Sequence, residues 1–257
     1  MAISFVAAGT TSNSTTTVSP GLPAGLADGD LMQYTLEWRS TATAPAAPSG
    51  WTLKKEAQVT HGVEGAGSGT AAVCVYERVF ATGDTAPSIS VSGRNGGRAC
   101  IVGWHRTAGT GWQTAYDSGT DSTPNTTHSA PSATDLGGQS GDVLTCFTGT
   151  NGVTIVARTG IAASWAGCTL GTVNTRTPPT GNTTSGNDLN TTWEDVAVSS
   201  GTSSGAPSVT WTWSGTPTTD FPVTAAIYTR LREQTAAAAL GPQPLIVNQA
   251  VQRAASW

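Results

Sequence analysis

Between Leu31 and Arg39 the chain alternates without a break. Met32, Tyr34, Leu36 and Trp38 fall on one side of an extended backbone, and Gln33, Thr35, Glu37 and Arg39 fall on the other. That period of two predicts a strand with one face buried and the other wet. A Gly29-Asp30 turn announces it. Gly141-Asp142 announces a second such run, Val143-Leu144-Thr145-Cys146-Phe147-Thr148, with Leu144 and Cys146 in the places of Met32 and Tyr34. Two strands introduced by the same turn constrain the chain to a β architecture with related halves.

The matches continue in order. Residues 16–20 are answered by 127–131 at a shift of 111, and Asp30 by Asp142 at 112. Gly50-Trp51-Thr52-Leu53 meets Gly167-Cys168-Thr169-Leu170, and Tyr76-Glu77-Arg78 meets Trp193-Glu194-Asp195, both at 117. Pro87-Ser88-Ile89 meets Pro207-Ser208-Val209 at 120, and Ala99-Cys100-Ile101 meets Ala225-Ala226-Ile227 at 126. A shift that only grows is what loop insertions in a second copy produce. Other strands are expected at residues 3–7, along a Thr-rich edge at 12–19, through an apolar run at 71–79 buried on both faces, at 87–92 with Ile89 and Val91 inward, and at 99–105. The predicted fold is an all-β, antiparallel, jelly-roll-like β-sandwich built from two internally repeated halves, with a C-terminal extended arm. Residues 1–112 form the first repeat, 113–232 the second and 233–257 the arm. Glu233 to Ala239 reads as one helical turn, ended by Gly241-Pro242.

Only 11% of the 257 residues are charged, while Gly (31), Pro (14), Ser and Thr abound, which favours strands and turns over helices. The net charge is −4 and the densest basic spots are Lys54-Lys55 and Arg230 with Arg232, so the basic footprint that nucleic acid needs is missing. The N-terminal residues do not read as a secretory signal and no apolar run reaches membrane-spanning length. The expectation is a product made in the cytoplasm without membrane insertion. Cys74, Cys100, Cys146 and Cys168 are widely spaced, without C-x-x-C, and read first as core thiols, with a disulfide or a metal site as alternatives.

Each catalytic pattern in the chain also has a simpler reading. Gly201-Thr202-Ser203-Ser204-Gly205 fits a nucleophile elbow, but a strand follows where a helix is required and His61, His105 and His128 all lie upstream. Glu194 and Asp195 are neighbours on a strand and point to opposite faces, which defeats a paired-carboxylate site with them, and Glu77 next to Arg78 is no better. Asp30 and Asp142 read as turn residues, with a calcium loop as alternative. Trp211 and Trp213 form a core ridge or, alternatively, an exposed glycan-stacking platform. The four Asn-x-Thr/Ser sequons, at Asn13, Asn125, Asn182 and Asn190, are read as chance in a Thr-rich chain. No catalytic, cofactor-binding or metal-binding residue is assigned.

Gly29-Asp30-Leu31, then Pro48-Ser49-Gly50-Trp51-Thr52, then Val75-Tyr76-Glu77-Arg78-Val79 resembles the GDLL … P-x-GWT … YxR pattern of β-sandwich virion proteins from tailed phages of actinobacteria. The likeness spans about residues 1–232, and the second copy departs from it with Cys168 in place of Trp51. It implies a non-enzymatic structural subunit of the virion, a minor tail protein or, alternatively, a capsid decoration protein, without cofactors. Its partners would be other virion proteins and further copies of itself. A carbohydrate-binding module for host surface glycans is a further alternative, and a hydrolase the least supported. In this reading Leu245, Ile246, Val247, Val251 and Trp257 make 233–257 an assembly arm that packs on another copy or another virion protein, or else folds back on its own sandwich.

Overall fold

The computed structural model describes residues 3–61, 69–123, 127–151, 158–177, 189–213 and 223–235. Seventeen strands and no helix occur among them. The first eight are β1 (Ile3–Ala8), β2 (Ser12–Ser14), β3 (Thr17–Val18), β4 (Leu31–Trp38), β5 (Thr52–His61), β6 (Gly69–Val79), β7 (Ile89–Ser90) and β8 (Gly97–Arg106). The remainder are β9 (Gly111–Asp121), β10 (Thr127–Ser129), β11 (Val143–Asn151), β12 (Arg158–Trp165), β13 (Cys168–Leu170), β14 (Asn174–Thr177), β15 (Leu189–Gly201), β16 (Pro207–Trp213) and β17 (Val223–Gln234).

These strands form two large and two small antiparallel sheets. One large sheet runs β1-β8-β4-β6-β5, with β2 also on β8, and the other runs β9-β17-β11-β15-β13, with β14 also on β15. The small sheets are β3-β7 and β10-β16-β12. In the first half the chain leaves its large sheet for the small one at β3 and β7, and in the second half at β10, β12 and β16. The second large sheet repeats the strand order of the first, with β9 for β1, β17 for β8, β11 for β4 and β15 for β6.

Four layers result. The large sheets face each other across a shared core that includes Leu31, Val73, Val75, Val102 and Trp104 from one side and Val143, Phe147, Trp193 and Ile227 from the other. The outer face of the first sheet packs Met32, Tyr34, Leu36, Trp38 and Tyr76 against Val18, Ile89 and Trp51. The outer face of the second packs Leu144, Cys146 and Tyr228 against Trp165, Val209 and Trp211.

The layering overturns the expected wet face of β4. All eight of its residues are buried, Gln33, Thr35 and Glu37 included, because that polar face lies against the other half of the chain. Two of the three find partners: Gln33 Nε2 donates to Tyr116 Oη at 3.0 Å, Trp104 Nε1 donates to Gln33 Oε1 at 2.9 Å, and Thr35 Oγ1 donates to the Cys100 carbonyl, whereas the Glu37 carboxyl oxygens make no hydrogen bond among the described residues. β6 is buried from Gly69 to Tyr76, as its apolar run requires.

The two Gly-Asp turns have the same build. Gly29 and Gly141 have φ of +90° and +91°, a region that suits glycine because a Cβ would be strained there. Asp30 Oδ2 accepts from the Ala27 N–H and Asp142 Oδ2 from the Gln139 N–H, both at 2.9 Å. The match of residues 50–53 to 167–170 is overturned, because Thr52 lies opposite Glu77 and it is Asn174, not Thr169, that lies opposite Asp195, the counterpart of Glu77. Two other matches slip by one residue. Tyr34 lies opposite Tyr76 and Ile101, and Cys146 opposite Glu194 and Tyr228, which makes the shifts 118 and 127 rather than 117 and 126. Tyr76 and Ile101 face an outer core whereas Trp193 and Ile227 face the inner one, so matching them by side-chain likeness put them on opposite faces. Two local expectations also change. The Thr-rich edge at 12–19 splits into β2 and β3, which pair with β8 and β7 in different layers. Glu233 and Gln234, read as the start of a helical turn, instead end β17 and pair with Trp112 and Gly111 of β9. Residues 236–257, and with them the arm residues Leu245, Ile246, Val247, Val251 and Trp257, lie outside the described residues.

Candidate functional site

Three segments far apart in sequence meet at one corner of the first half. Gly50 turns the chain with φ +78°, and a Cβ there would run into the Arg78 guanidinium. Arg78 Nη1 donates to the Ser49 carbonyl and pairs with Asp84, whose carboxylate also accepts the Ala81 N–H. The turn delivers Trp51 into the outer core, edge-on to the Tyr34 ring at 5.8 Å between centroids, and Tyr34 is edge-on to Tyr76 at 5.9 Å. Tyr76 Oη then donates to the Pro45 carbonyl at 2.7 Å, fastening the loop that carries Trp51. Burial raises the pKa of both Tyr34 and Tyr76 above the ordinary phenol value, so both keep their protons. Beside this corner Asp30 accepts the turn N–H and stands 2.6 Å from His105 Nδ1. In the second half Arg232 takes the place of His105 and pairs with Asp142 at 2.6 Å. Both aspartates are thereby held by a turn N–H and a basic side chain.

The remaining chemistry-bearing residues are dispersed. Glu194 points into the outer core of the second half and Asp195 to the inner side, as strand geometry predicts. Arg158 donates to Glu194 Oε1 at 3.2 Å and to Thr148 Oγ1 at 2.7 Å, and its guanidinium lies 4.2 Å above the Trp211 ring. Desolvation outweighs their mutual attraction, pushing the Glu194 carboxyl up and the Arg158 guanidinium down. His128, fully buried, stacks on the other side of this cluster on Trp211 at 5.8 Å and lies 3.6 Å from Asp121. Ser203 donates to Asp135, and the strand β16 follows it. Trp211 is a core residue, and so are Trp38, Trp51, Trp104, Trp165 and Trp193. The side chains of His61 and Trp213 lie outside the described residues. All four cysteines are free, and burial pushes the Cys100 thiol up to about 11. Among the described residues no group of three or more His, Cys, Asp or Glu is placed to hold a metal ion.

A concavity of about 510 Å³ opens along the edge where β1 faces β14 and β15. Phe5 and Trp104 form its apolar floor, and Asn174, Arg176 and Asp195 its polar wall. Arg176 sits 4.4 Å above the Phe5 ring while its Nε and Nη2 donate to the Asp195 carboxylate within the wall. Sequence reasoning missed this groove, because Phe5 and Arg176 are brought together only by sheet packing. Compared with protein families, curated proteins and solved structures, the chain has no match in any of the three.

Proposed function

We propose that the protein is a non-enzymatic structural subunit of a tailed-phage virion, a minor tail protein that assembles through its β surface and the C-terminal segment that follows β17. One observation carries this reading. The residues on which the resemblance rests are bonded to one another's segments, Gly29 and Asp30 through their backbones to Phe80 beyond Arg78, Tyr76 to the Pro45 carbonyl and Arg78 to the Ser49 carbonyl of the loop that carries Gly50-Trp51, so the pattern is spent on holding a sandwich together. A low-charge surface rich in Ser and Thr suits a subunit packed among other protein surfaces.

Antibodies raised against the folded protein, applied to intact particles under the electron microscope, test it. Labelling of the tail is expected; labelling of the capsid would overturn the tail assignment, and absence from purified particles would overturn the virion assignment. A chain lacking 241–257 should unfold at a near-unchanged temperature and fail to join the particle. Normal incorporation would remove the arm from the mechanism.

A further inference from the structure

The two halves meet as copies in a symmetric dimer meet. β5 packs on β9, β6 on β17, β8 on β15, and β4 on β11. Since β17 stands for β8 and β15 for β6, the β6–β17 and β8–β15 contacts are reciprocal, as are β6–β11 and β4–β15, the pattern of an isologous interface, while β5 also packs broadly on β17 without a contact of like extent on the other side among the described residues. The element that meets its own counterpart, β4 with β11, marks the axis. Two residues locate it more closely. Glu37 lies opposite Val73 and Arg98, and Gly149 opposite their counterparts Thr191 and Ala225, so Gly149 is the counterpart of Glu37. These two touch, for a Cβ added to Gly149 would come within 2.9 Å of the Glu37 carboxyl carbon.

The reciprocity extends to side chains at both edges. β5 has a bulge between Leu53 and Lys55, opposite Tyr76 and Val75, and β14 has one between Thr175 and Thr177, opposite Glu194 and Trp193, the counterparts of those two residues. A bulge re-aims the extra side chain. The bulged residue is a cation each time, Lys54 in one half and Arg176 in the other. Lys54 binds Glu77 at 3.3 Å and lies 5.7 Å from the Tyr116 ring of the other half. Arg176 binds Asp195, the counterpart of Glu77, and lies 4.4 Å from the Phe5 ring of the other half. Tyr116 and Phe5 belong to the corresponding edge strands β9 and β1.

We infer that the chain is a tethered dimer, in which each half is a β-sandwich unit whose inner face recognises a second copy of that unit, supplied in the same chain through residues 107–110. The axis position also sets which copy is accepted. Two first halves would press Glu37 on Glu37 in a dry interface, whereas Gly149 leaves room for the single carboxylate, so the first half takes the second as its partner. The inference does not depend on the virion reading.

A protease site inserted between Thr107 and Thr110 of the full chain allows the test. After cleavage the two fragments should co-elute at the size of the uncut protein in native size-exclusion chromatography. Lys54→Met and Arg176→Met, which keep an unbranched apolar stem and remove the charge, should each raise the fragment dissociation constant by a similar factor, about three- to tenfold. Gly149→Glu should raise it by more than about a hundredfold. Fragments of the parent that separate at tens of micromolar would overturn the inference, as would a silent change at one cation beside a strong one at the other. If Gly149→Glu fails to fold, the two methionine variants still decide it.

Discussion

Trp38→Ala is the most informative perturbation of the outer core. The indole is 1% exposed, packs in the cluster with Leu36 and Trp51, and donates Nε1–H to the Ala42 carbonyl at 2.9 Å. Burying roughly 200 Å² of aromatic surface at about 25 cal/mol per Å² gives about 5 kcal/mol as an upper figure. The methyl of alanine retains a little of this and the cavity adds some back, so a loss of about 3–5 kcal/mol is expected. Trp38→Phe separates the terms, since it keeps most of the apolar volume and removes the hydrogen bond, and should cost about 1–2 kcal/mol. Urea unfolding followed by far-UV circular dichroism measures both, with an unchanged slope showing that the unfolded state is the same. A loss below about 1 kcal/mol for Trp38→Ala would refute the placement of this side chain in a sealed core.

Three further outcomes follow from the buried charges and one turn. Burial, opposed by the Arg98, Arg158 and Arg39 guanidiniums, pushes the Glu37 carboxyl well above the carboxylate range. A raised folded-state pKa means its contribution is complete below the unfolded value of about 4.3 and is lost as pH rises towards the folded one. Stability relative to Glu37→Gln should therefore fall with rising pH above about 5, at no more than about 1.4 kcal/mol per pH unit, and parallel unfolding profiles would contradict it. Arg158→Met strands the buried Glu194 and should cost about 3–5 kcal/mol at pH 8, while the double change with Glu194→Gln should regain part of that; an additive cycle would show that the pair is not coupled. Gly50→Ala should cost more than about 1 kcal/mol in thermal unfolding, because the left-handed backbone and the Arg78 contact both resist a Cβ, and a neutral effect would place Arg78 elsewhere.

What the sequence determined by itself was local. Alternation at 31–39, the Gly-Asp turns and the scarcity of charge were enough for strands, for an all-β class and for Trp38 and Trp51 as core residues, because side-chain period and backbone strain at glycine act over a few residues. The partner of each face was not local. Gln33, Thr35 and Glu37 look like a solvent face by type, and only the packing of the second large sheet buries them, supplying Tyr116 and Thr229 as partners for Gln33. The one-residue slips at Tyr76 and Ile101 have the same origin, since apolar residues serve inner and outer cores alike when a sheet is covered on both sides. The groove at Phe5 and Arg176, and the pairing of Lys54 with Tyr116, join residues more than 60 positions apart in the chain through the stacking of two sheets. Stacking depends on the sum of many weak apolar contacts across layers, and no single stretch of sequence carries that sum.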